Sequence, residues 1–205
     1  NCLINSKAFK LVAAFNHKHI FLDPNPDPER SYEERKRLFF SKDSGWDNYN
    51  SSLISKGGGV FLKTEKSIPI SKEMQSVLGI TANSLSGSAL ISALLKAPVD
   101  LLYNGGIGTY VKSESEENSK VGDPANNEVR VNGSELRARV VSEGGNLGFT
   151  QLGRIEYALA GGNIYTDALD NSAGVDLSDH EVNLKIFFNH LKELGKIAND
   201  EERDV

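Results

Sequence analysis

The hydrophobic and polar positions of the chain alternate in blocks that predict short buried strands separated by amphipathic helices. Strands are predicted at 11–15, 99–103, 138–142 and 163–165, where apolar residues form short runs bounded by polar or turn residues. Helices are predicted at 31–40, 71–78, 86–96, 135–139, 150–160 and 178–197, several of which show apolar residues at helical spacing. The run at 11–15 consists only of apolar residues, which is typical of a strand buried on both faces of a parallel sheet.

Capping and turn residues set several boundaries of these predicted elements. Ser31 with Glu34 three residues later forms a capping-box pattern at the start of the first helix. The proline-rich segment 23–28 predicts a turn, and 41–59 predicts an irregular loop. Residues 112–134 are polar and charged, so we expect them to form a surface excursion from the fold.

Strands and helices follow each other in alternation, which predicts one α/β domain with a Rossmann-like, doubly wound, mainly parallel sheet and helices on both faces. In such a sheet, ligands bind at the carboxyl ends of the strands. Four predicted strands are followed there by small or amide-bearing residues, at 16–17, 104–108, 143–148 and 170–174. Two interpretations stay open at this point, because the same residues are typical of a nucleotide site and of ordinary turns.

The usual phosphate-binding pattern, Gly-x-Gly-x-x-Gly after a strand, does not occur in the chain. The glycines within 57–59, 105–108 and 144–148 have other spacings. The residues alone therefore predict that the pyrophosphate of a dinucleotide would bind outside this chain.

The composition argues against several classes of function. The 205 residues carry a net charge of −5 and show no face rich in Lys and Arg, which argues against nucleic-acid binding. Cys2 is the single cysteine, so it supports neither an internal disulfide nor a cysteine-based metal site. No apolar run approaches the ~18 residues of a membrane span and no signal pattern is present, so we expect a cytoplasmic protein without membrane contact.

The acidic and polar residues near 178 have two interpretations each. Asp176 and His180 share one face of the predicted helix start and suggest a metal ligand pair, but acids there more often complement the helix dipole. We therefore expect no metal. Ser178, with Glu181 three residues later, fits a helix cap, and a capped helix start also favours an anion.

Two motifs at the strand ends resemble a known family. Residues 143–146 (Glu-Gly-Gly-Asn), a helix, and residues 171–178 (Asn-Ser-Ala-Gly-Val-Asp-Leu-Ser) resemble the coenzyme-domain signature of the glutamate, leucine, phenylalanine and valine dehydrogenases. The segments 104–111 and 167–183 also resemble one branch of it, the large bacterial NAD-specific glutamate dehydrogenases. The resemblance extends over about residues 3–203.

Carried over residue by residue, the resemblance implies a binding site for NAD. Asn16 would lie at the adenosine ribose, where many members have an acid. Gly105 and Gly106 would lie against the coenzyme. Asn146 would bond the nicotinamide ribose, and Asn171 would lie near the nicotinamide. Because Asn16 is neutral, the preference for NAD over NADP follows from the branch and not from this residue.

The resemblance also implies a substrate contact. Ser178 matches the serine that holds the side-chain carboxylate of L-glutamate or 2-oxoglutarate. The parent reaction would be the oxidative deamination of L-glutamate to 2-oxoglutarate and ammonia, with hydride passed to NAD. Another amino-acid substrate is the alternative within the family. A homo-oligomeric parent is expected.

The family's first strand and its glycine-rich turn would precede Asn1, and its catalytic lysine and aspartate belong to a substrate domain. We therefore interpret residues 1–205 as a partial dinucleotide-binding domain without its first strand. It would contain no catalytic residue, be inactive in isolation, and act together with the remaining domains of the parent chain. An alternative of another class is a non-catalytic α/β regulatory or oligomerisation module, which the missing phosphate loop favours.

Overall fold

The computed structural model describes residues 6–42 and 44–197, so that Cys2 and the residues 198–205 lie outside the described part. The fold is a mixed α/β structure. Its strands are β1 (Ala13–Phe15), β2 (His19–Leu22), β3 (Gly59–Leu62), β4 (Ile68–Pro69), β5 (Ser84–Leu85), β6 (Leu101–Asn104), β7 (Val111–Lys112), β8 (Val131–Asn132), β9 (Val140–Glu143) and β10 (Asn163–Ile164). Its helices are α1 (Pro28–Phe39), α2 (Lys72–Leu78), α3 (Gly87–Leu95), α4 (Asn118–Val121), α5 (Gln151–Leu159), α6 (Asp167–Asp170) and α7 (Ser172–Glu193).

A parallel sheet with the order β10-β9-β6 contains three of the predicted strands. β6 and β9 pair over their whole length, from Leu101 opposite Val140 to Asn104 opposite Glu143. β10 pairs with the first half of β9, where Asn163 lies opposite Val140. Since all three strands run in one direction, the carboxyl ends of β6 and β9 lie next to each other, as the sequence predicts.

The strand predicted at 11–15 exists as β1, but its predicted parallel, fully buried environment is wrong. β1 is half-buried and belongs to an antiparallel sheet with the order β1-β2-β3. The side-chain oxygen of Asn16 accepts hydrogen bonds from the backbone N–H groups of Lys18 (2.8 Å) and His19 (2.7 Å). These bonds fix a tight turn, after which the chain returns antiparallel as β2.

The remaining strands form two small sheets, β4-β5 antiparallel and β7-β8 parallel. The strands of the described residues are thus distributed over four sheets. β7 and β8 belong to the segment 112–134 and its border, which the sequence predicts to be an excursion. None of the residues 114–125 is buried, whereas Val129 and Val131 are part of the main hydrophobic core.

Three predicted helices are confirmed together with their caps. The hydroxyl oxygens of Ser71, Ser86 and Thr150 each accept a hydrogen bond from the backbone N–H three residues later, which satisfies one free donor at the starts of α2, α3 and α5. These helices carry much of the main core, because Met74, Leu90 and Ile91 are fully buried.

Other predicted helix boundaries are wrong. The cap of α1 is Asp27, whose side chain accepts from the N–H groups of the first turn, and Ser31 lies inside the helix. Pro28 occupies the first turn, where a missing N–H carries no cost. The helix predicted at 135–139 is instead a 3-10 turn over Gly133–Glu135.

The C-terminal helix differs most from its prediction. α7 spans Ser172–Glu193, so it begins six residues before the predicted start and ends before the predicted end. Its first turn includes Gly174, which costs a helix only about 1 kcal/mol and does not stop it. No side chain of α7 is buried, and Ile186 and Phe187 are 62% and 55% exposed. In the described part of the chain, no helix is both long and apolar enough to cross a bilayer.

Candidate functional site

Two loops meet at the carboxyl ends of β6 and β9. The strands end at the paired residues Asn104 and Glu143, and the N–H of Gly144 donates to the carbonyl oxygen of Asn104 at 2.8 Å. Residues 105–108 and 144–148 follow directly, and we refer to these two segments as the paired loops. Their position is the one at which open α/β sheets bind ligands.

The glycines of the paired loops have different physical roles. A Cβ on Gly145 would lie 2.4 Å from the carbonyl oxygen of Gly106, so this glycine lets the two loops approach each other. A Cβ on Gly106 would instead have no atom within 4 Å among the described residues. Open space of this kind at a strand end is where a ligand would lie against the backbone. Gly105 is more enclosed, because its Cβ would meet the ring of Tyr103 at 2.9 Å.

Asn146 and Asn171, two of the predicted site residues, are brought together by the fold. The Nδ2 of Asn171 donates to the Oδ1 of Asn146 at 2.6 Å. Asn171 lies between α6 and α7, in the segment 170–174 that the sequence interprets as a fourth strand-end loop. The segment is wrongly predicted as a loop, since it is largely helical, but its asparagine still faces the loop after β9.

Asn16 lies at the end of β1, and its side-chain oxygen is used in the hairpin. The neighbouring Phe15 reaches the strand-end region, where its ring contacts Tyr110 with 5.5 Å between centroids. A narrow cavity there is lined by Phe15, Leu102, Asn104, Tyr110, Gly148 and Phe149. The Nδ2 of Asn104 is buried without a hydrogen-bond partner among the described residues, so that its N–H donors are free for a ligand that enters this cavity.

Ser178 lies in the second turn of α7 and is exposed. Its hydroxyl donates to the carbonyl oxygen of Val175 at 2.9 Å. The interpretation of Ser178 as a helix cap is therefore wrong, because the helix begins at Ser172. His180 interacts with Asp176 on the same helix. Groups of three or more His, Cys, Asp or Glu side chains suited to a metal ion do not occur among the described residues.

A buried ion pair lies at the strand end from which the second of the paired loops begins. Glu143 is fully buried at the end of β9, and its Oε2 accepts from the Nη2 of Arg154 on α5 at 2.6 Å. The same Nη2 lies 3.7 Å from the Oδ1 of Asp167 on α6. Burial raises the pKa of Glu143 to about 7 although Arg154 opposes the rise, and the Asp167 carboxylate adds to it.

Two further carboxylate contacts connect the loop after β9 with α6. Asp170 Oδ2 accepts from the N–H of Glu143 at 3.0 Å, and Asp167 Oδ2 accepts from the N–H of Leu147 at 2.8 Å. Leu147 has a φ of 56°, which is uncommon for a residue other than glycine. The loop that carries Asn146 is thus held at both ends by acidic groups of one helix.

Sequence reasoning missed this network, although a signal for it exists. Arg154 lies in the middle of a helix in which Gly153 and Tyr157 are buried, so it lies on the face that packs inward. A charged residue on such a face needs a buried partner. Glu143, the acid that precedes the glycines, is the partner that the strand-end motif offers.

An α/β protein with touching glycine loops and paired asparagines at its strand ends has a candidate ligand site of the open-sheet class. The sequence comparison identifies the family more narrowly. The family described as bacterial NAD-glutamate dehydrogenase, catalytic domain, matches residues 1–205. The chain therefore belongs to that family.

Individual relatives agree with this assignment. The NAD-specific glutamate dehydrogenase of Mycobacterium tuberculosis is 55% identical over 211 residues, which covers 100% of this chain and 13% of that protein. The protein of the same name from Pseudomonas aeruginosa is 57% identical over 198 residues, covering 97% of this chain and 12% of that protein. The one from Halomonas elongata is 49% identical over 205 residues, with coverage of 100% and 13%. The chain thus spans about one eighth of the length of these relatives.

Proposed function

We propose that this chain is the coenzyme-binding part of an NAD-dependent glutamate dehydrogenase. The full-length protein would convert L-glutamate, NAD and water to 2-oxoglutarate, ammonia and NADH. The observation that carries the proposal is the contact between the paired loops, with open space at Gly106 and the joined side chains of Asn146 and Asn171. The names of the relatives, all NAD-specific glutamate dehydrogenases, support the same coenzyme and substrate.

The residues present fit a dinucleotide. Gly105 and Gly106 would lie against it, because a backbone without a side chain leaves room for a flat ligand. Asn146 and Asn171 would bond the nicotinamide half, since amide side chains both donate to and accept from hydroxyl and carboxamide groups. The Nδ2 of Asn104, for which the described residues provide no hydrogen-bond partner, adds a donor group at the same strand end. When bound, NAD supplies the acceptor for the hydride, and the role of these residues is to position it.

The proposal also covers the fold of the domain, the role of Asn16 and the activity of the isolated chain. We infer a Rossmann-like arrangement in which Asn16 reaches the adenosine ribose and the partial domain is completed by other parts of the protein. Because Asn16 Oδ1 already accepts two backbone hydrogen bonds, its Nδ2 would be the group that faces the ribose. The isolated 205 residues would not turn over glutamate, and glutamate turnover by them would contradict this inference.

Asn146→Asp tests the coenzyme role in the full-length protein. The change keeps an acceptor for Asn171 but removes the amide donor and adds a negative charge beside the proposed ribose contact. We expect the dissociation constant for NAD to rise at least about tenfold, equivalent to about 1.4 kcal/mol. The measurement is a titration of NAD into both proteins by calorimetry.

Asn163→Asp is the matched control for this change. Asn163 lies on β10 opposite the first residue of β9, at the other end of the same sheet. It receives the same charge, and we expect it to leave the NAD affinity unchanged. Equal NAD affinity in the wild type and in Asn146→Asp would show that the paired loops are not the coenzyme site.

Ser178 is proposed to bind the side-chain carboxylate of glutamate. Its exposed position leaves it accessible, and its hydroxyl currently donates to Val175. Ser178→Ala in the full-length protein should raise the KM for glutamate about tenfold and leave the KM for NAD unchanged. An unchanged KM for glutamate would favour a different amino-acid substrate or a different carboxylate contact.

A regulatory or oligomerisation module is the second candidate function. The exposed apolar side chains of α7, among them Ile186 and Phe187, favour it because a large apolar surface usually meets another protein surface. The two functions differ in their ligand. A module without coenzyme would leave the NAD affinity of the full-length protein insensitive to every change in the paired loops.

A further inference from the structure

Arg130 lies in the polar segment 112–134 and is buried to an unusual degree for a charged residue. Its side chain is 0% exposed. The guanidinium donates to four oxygens: Nε to Thr109 O (2.8 Å), Nη1 to Asn118 Oδ1 (2.9 Å) and Asn127 Oδ1 (2.6 Å), and Nη2 to Asp123 O (2.5 Å). A guanidinium with its donors fixed in this way is a rigid element, because its planar fork allows few alternative geometries.

Asp123 completes the arrangement from the same segment. Its Oδ2 lies 3.7 Å from the Nη2 of Arg130 and accepts hydrogen bonds from the N–H of Thr109 and the Nδ2 of Asn126, each at 2.8 Å. The peptide groups on both sides of Thr109 are therefore held, the N–H by Asp123 and the carbonyl by Arg130. We call Arg130, Asp123 and Thr109 the arginine clamp.

The clamp acts on both paired loops at once. Thr109 follows Gly108 directly, so it fixes the end of the first loop. Its hydroxyl donates to the carbonyl oxygen of Leu147 at 2.6 Å, one residue after Asn146 in the second loop. The contacts of Arg130 thus reach, through Thr109, both of the loops that carry Gly106 and Asn146.

We propose that Arg130 is a positioning residue for the coenzyme, which sets the separation of the paired loops through Thr109. The inference rests on the proposed coenzyme function of those loops. The segment 112–134 would then have a role in binding and not only at the surface. Residues 118–130 would hold the paired loops in position, with the space beside Gly106 open, without touching NAD.

Arg130→Lys in the full-length protein is the first test. Lysine keeps the charge but cannot hold four oxygens in one plane. We expect the dissociation constant and the KM for NAD to rise about tenfold, while kcat at saturating NAD stays within about twofold. Arg137→Lys is the matched control, because Arg137 also donates to two backbone carbonyls, of Lys96 and Leu78, away from the paired loops.

Thr109 provides a second test that leaves the charges in place. Thr109→Val removes the hydrogen bond to Leu147 and should raise the NAD dissociation constant severalfold, because the two loops lose a buried contact that joins them. Thr109→Ser keeps the hydroxyl and should restore wild-type affinity. If Arg130→Lys does not fold, the comparison of Thr109→Val with Thr109→Ser tests the proposal on its own.

The outcomes separate this inference from the proposed function. The proposal that Arg130 positions the coenzyme is overturned if Arg130→Lys and Thr109→Val both bind NAD within twofold of the wild type. It is also overturned if Arg137→Lys loses as much NAD affinity as Arg130→Lys. If Asn146→Asp weakens NAD binding in the same series, the proposed function survives that failure. If Asn146→Asp has no effect either, the paired loops do not bind NAD and both proposals fail together.

Discussion

Arg154→Met will destabilise the full-length protein by about 1–2 kcal/mol at pH 8, because the buried Glu143 carboxyl loses its partner and must take up a proton there. Both side chains of the pair are buried, with Arg154 7% and Glu143 0% exposed. Methionine approximates the length of the arginine stem, so the loss comes from the ion pair rather than from a cavity. Thermal and chemical unfolding of the wild type and the variant measure it.

The loss should depend on pH in a defined direction. Burial raises the pKa of Glu143 to about 7 in the folded protein, above its ordinary value of 4.5, with Arg154 opposing the rise. A carboxyl with a raised pKa favours folding below its unfolded pKa, and this contribution is lost as the pH rises through the folded pKa. Removing Arg154 raises the pKa further, so the destabilisation should be largest above pH 7 and shrink towards pH 5.

The double variant Glu143→Gln/Arg154→Met is the control for this prediction. It removes both charges, and the loss should be mostly recovered, because replacing both partners of a buried pair is often close to neutral. An Arg154→Met protein as stable as the wild type at pH 8, or a double variant no better than the single one, would contradict the buried pair described here.

Gly106→Val should weaken NAD binding on the order of 100-fold, or about 2.8 kcal/mol, while leaving the fold intact. The Cβ of a residue at this position meets no atom within 4 Å among the described residues. The valine side chain therefore fills space that the protein itself does not use. If that space belongs to the coenzyme, binding is lost by direct steric conflict and not through unfolding.

Ala160→Val serves as the matched control for added bulk. Ala160 is the exposed C-cap of α5, the end of that helix away from the paired loops. Both variants should melt within a few degrees of the wild type, and only Gly106→Val should lose NAD affinity in a calorimetric titration. Wild-type NAD affinity in a folded Gly106→Val protein would show that the open space is not part of the site.

Local patterns predict the parts of this fold that are locally determined. α2, α3 and α5 follow from hydrophobic periodicity and a capping hydroxyl, and β6 and β9 follow from short apolar runs that end in turn residues. The pairing of β6 with β9 also brings the loops 105–108 and 144–148 together as the strand-end argument expects. For these elements the sequence contains both the hydrophobic pattern and the capping or turn residue that limits it.

The errors occur where one side chain or a distant contact decides the structure. A single amide, Asn16, turns β1 back into an antiparallel hairpin, and the apolar run before it gives no sign of this. α7 runs through Gly174, because a glycine lowers helix stability without ending the helix.

The candidate site shows the same division between local pattern and tertiary contact. The sequence locates the glycines of the paired loops, but the reason for Gly145 is the carbonyl of Gly106 on the other loop. The pair Glu143–Arg154 and the clamp around Arg130 join residues 11 and 21 positions apart. Contacts of this kind follow from packing and not from spacing; the sequence indicates at most that Arg154, on an inward-facing helix side, needs a buried partner.

The structure of the full-length protein with bound NAD tests the central claim most directly. We predict that the coenzyme lies across the paired loops, with the backbone of Gly106 in van der Waals contact with it. The side chain of Asn146 should lie within hydrogen-bond distance of the ribose on the nicotinamide side. NAD bound elsewhere in the protein, with the space beside Gly106 empty, would contradict the account.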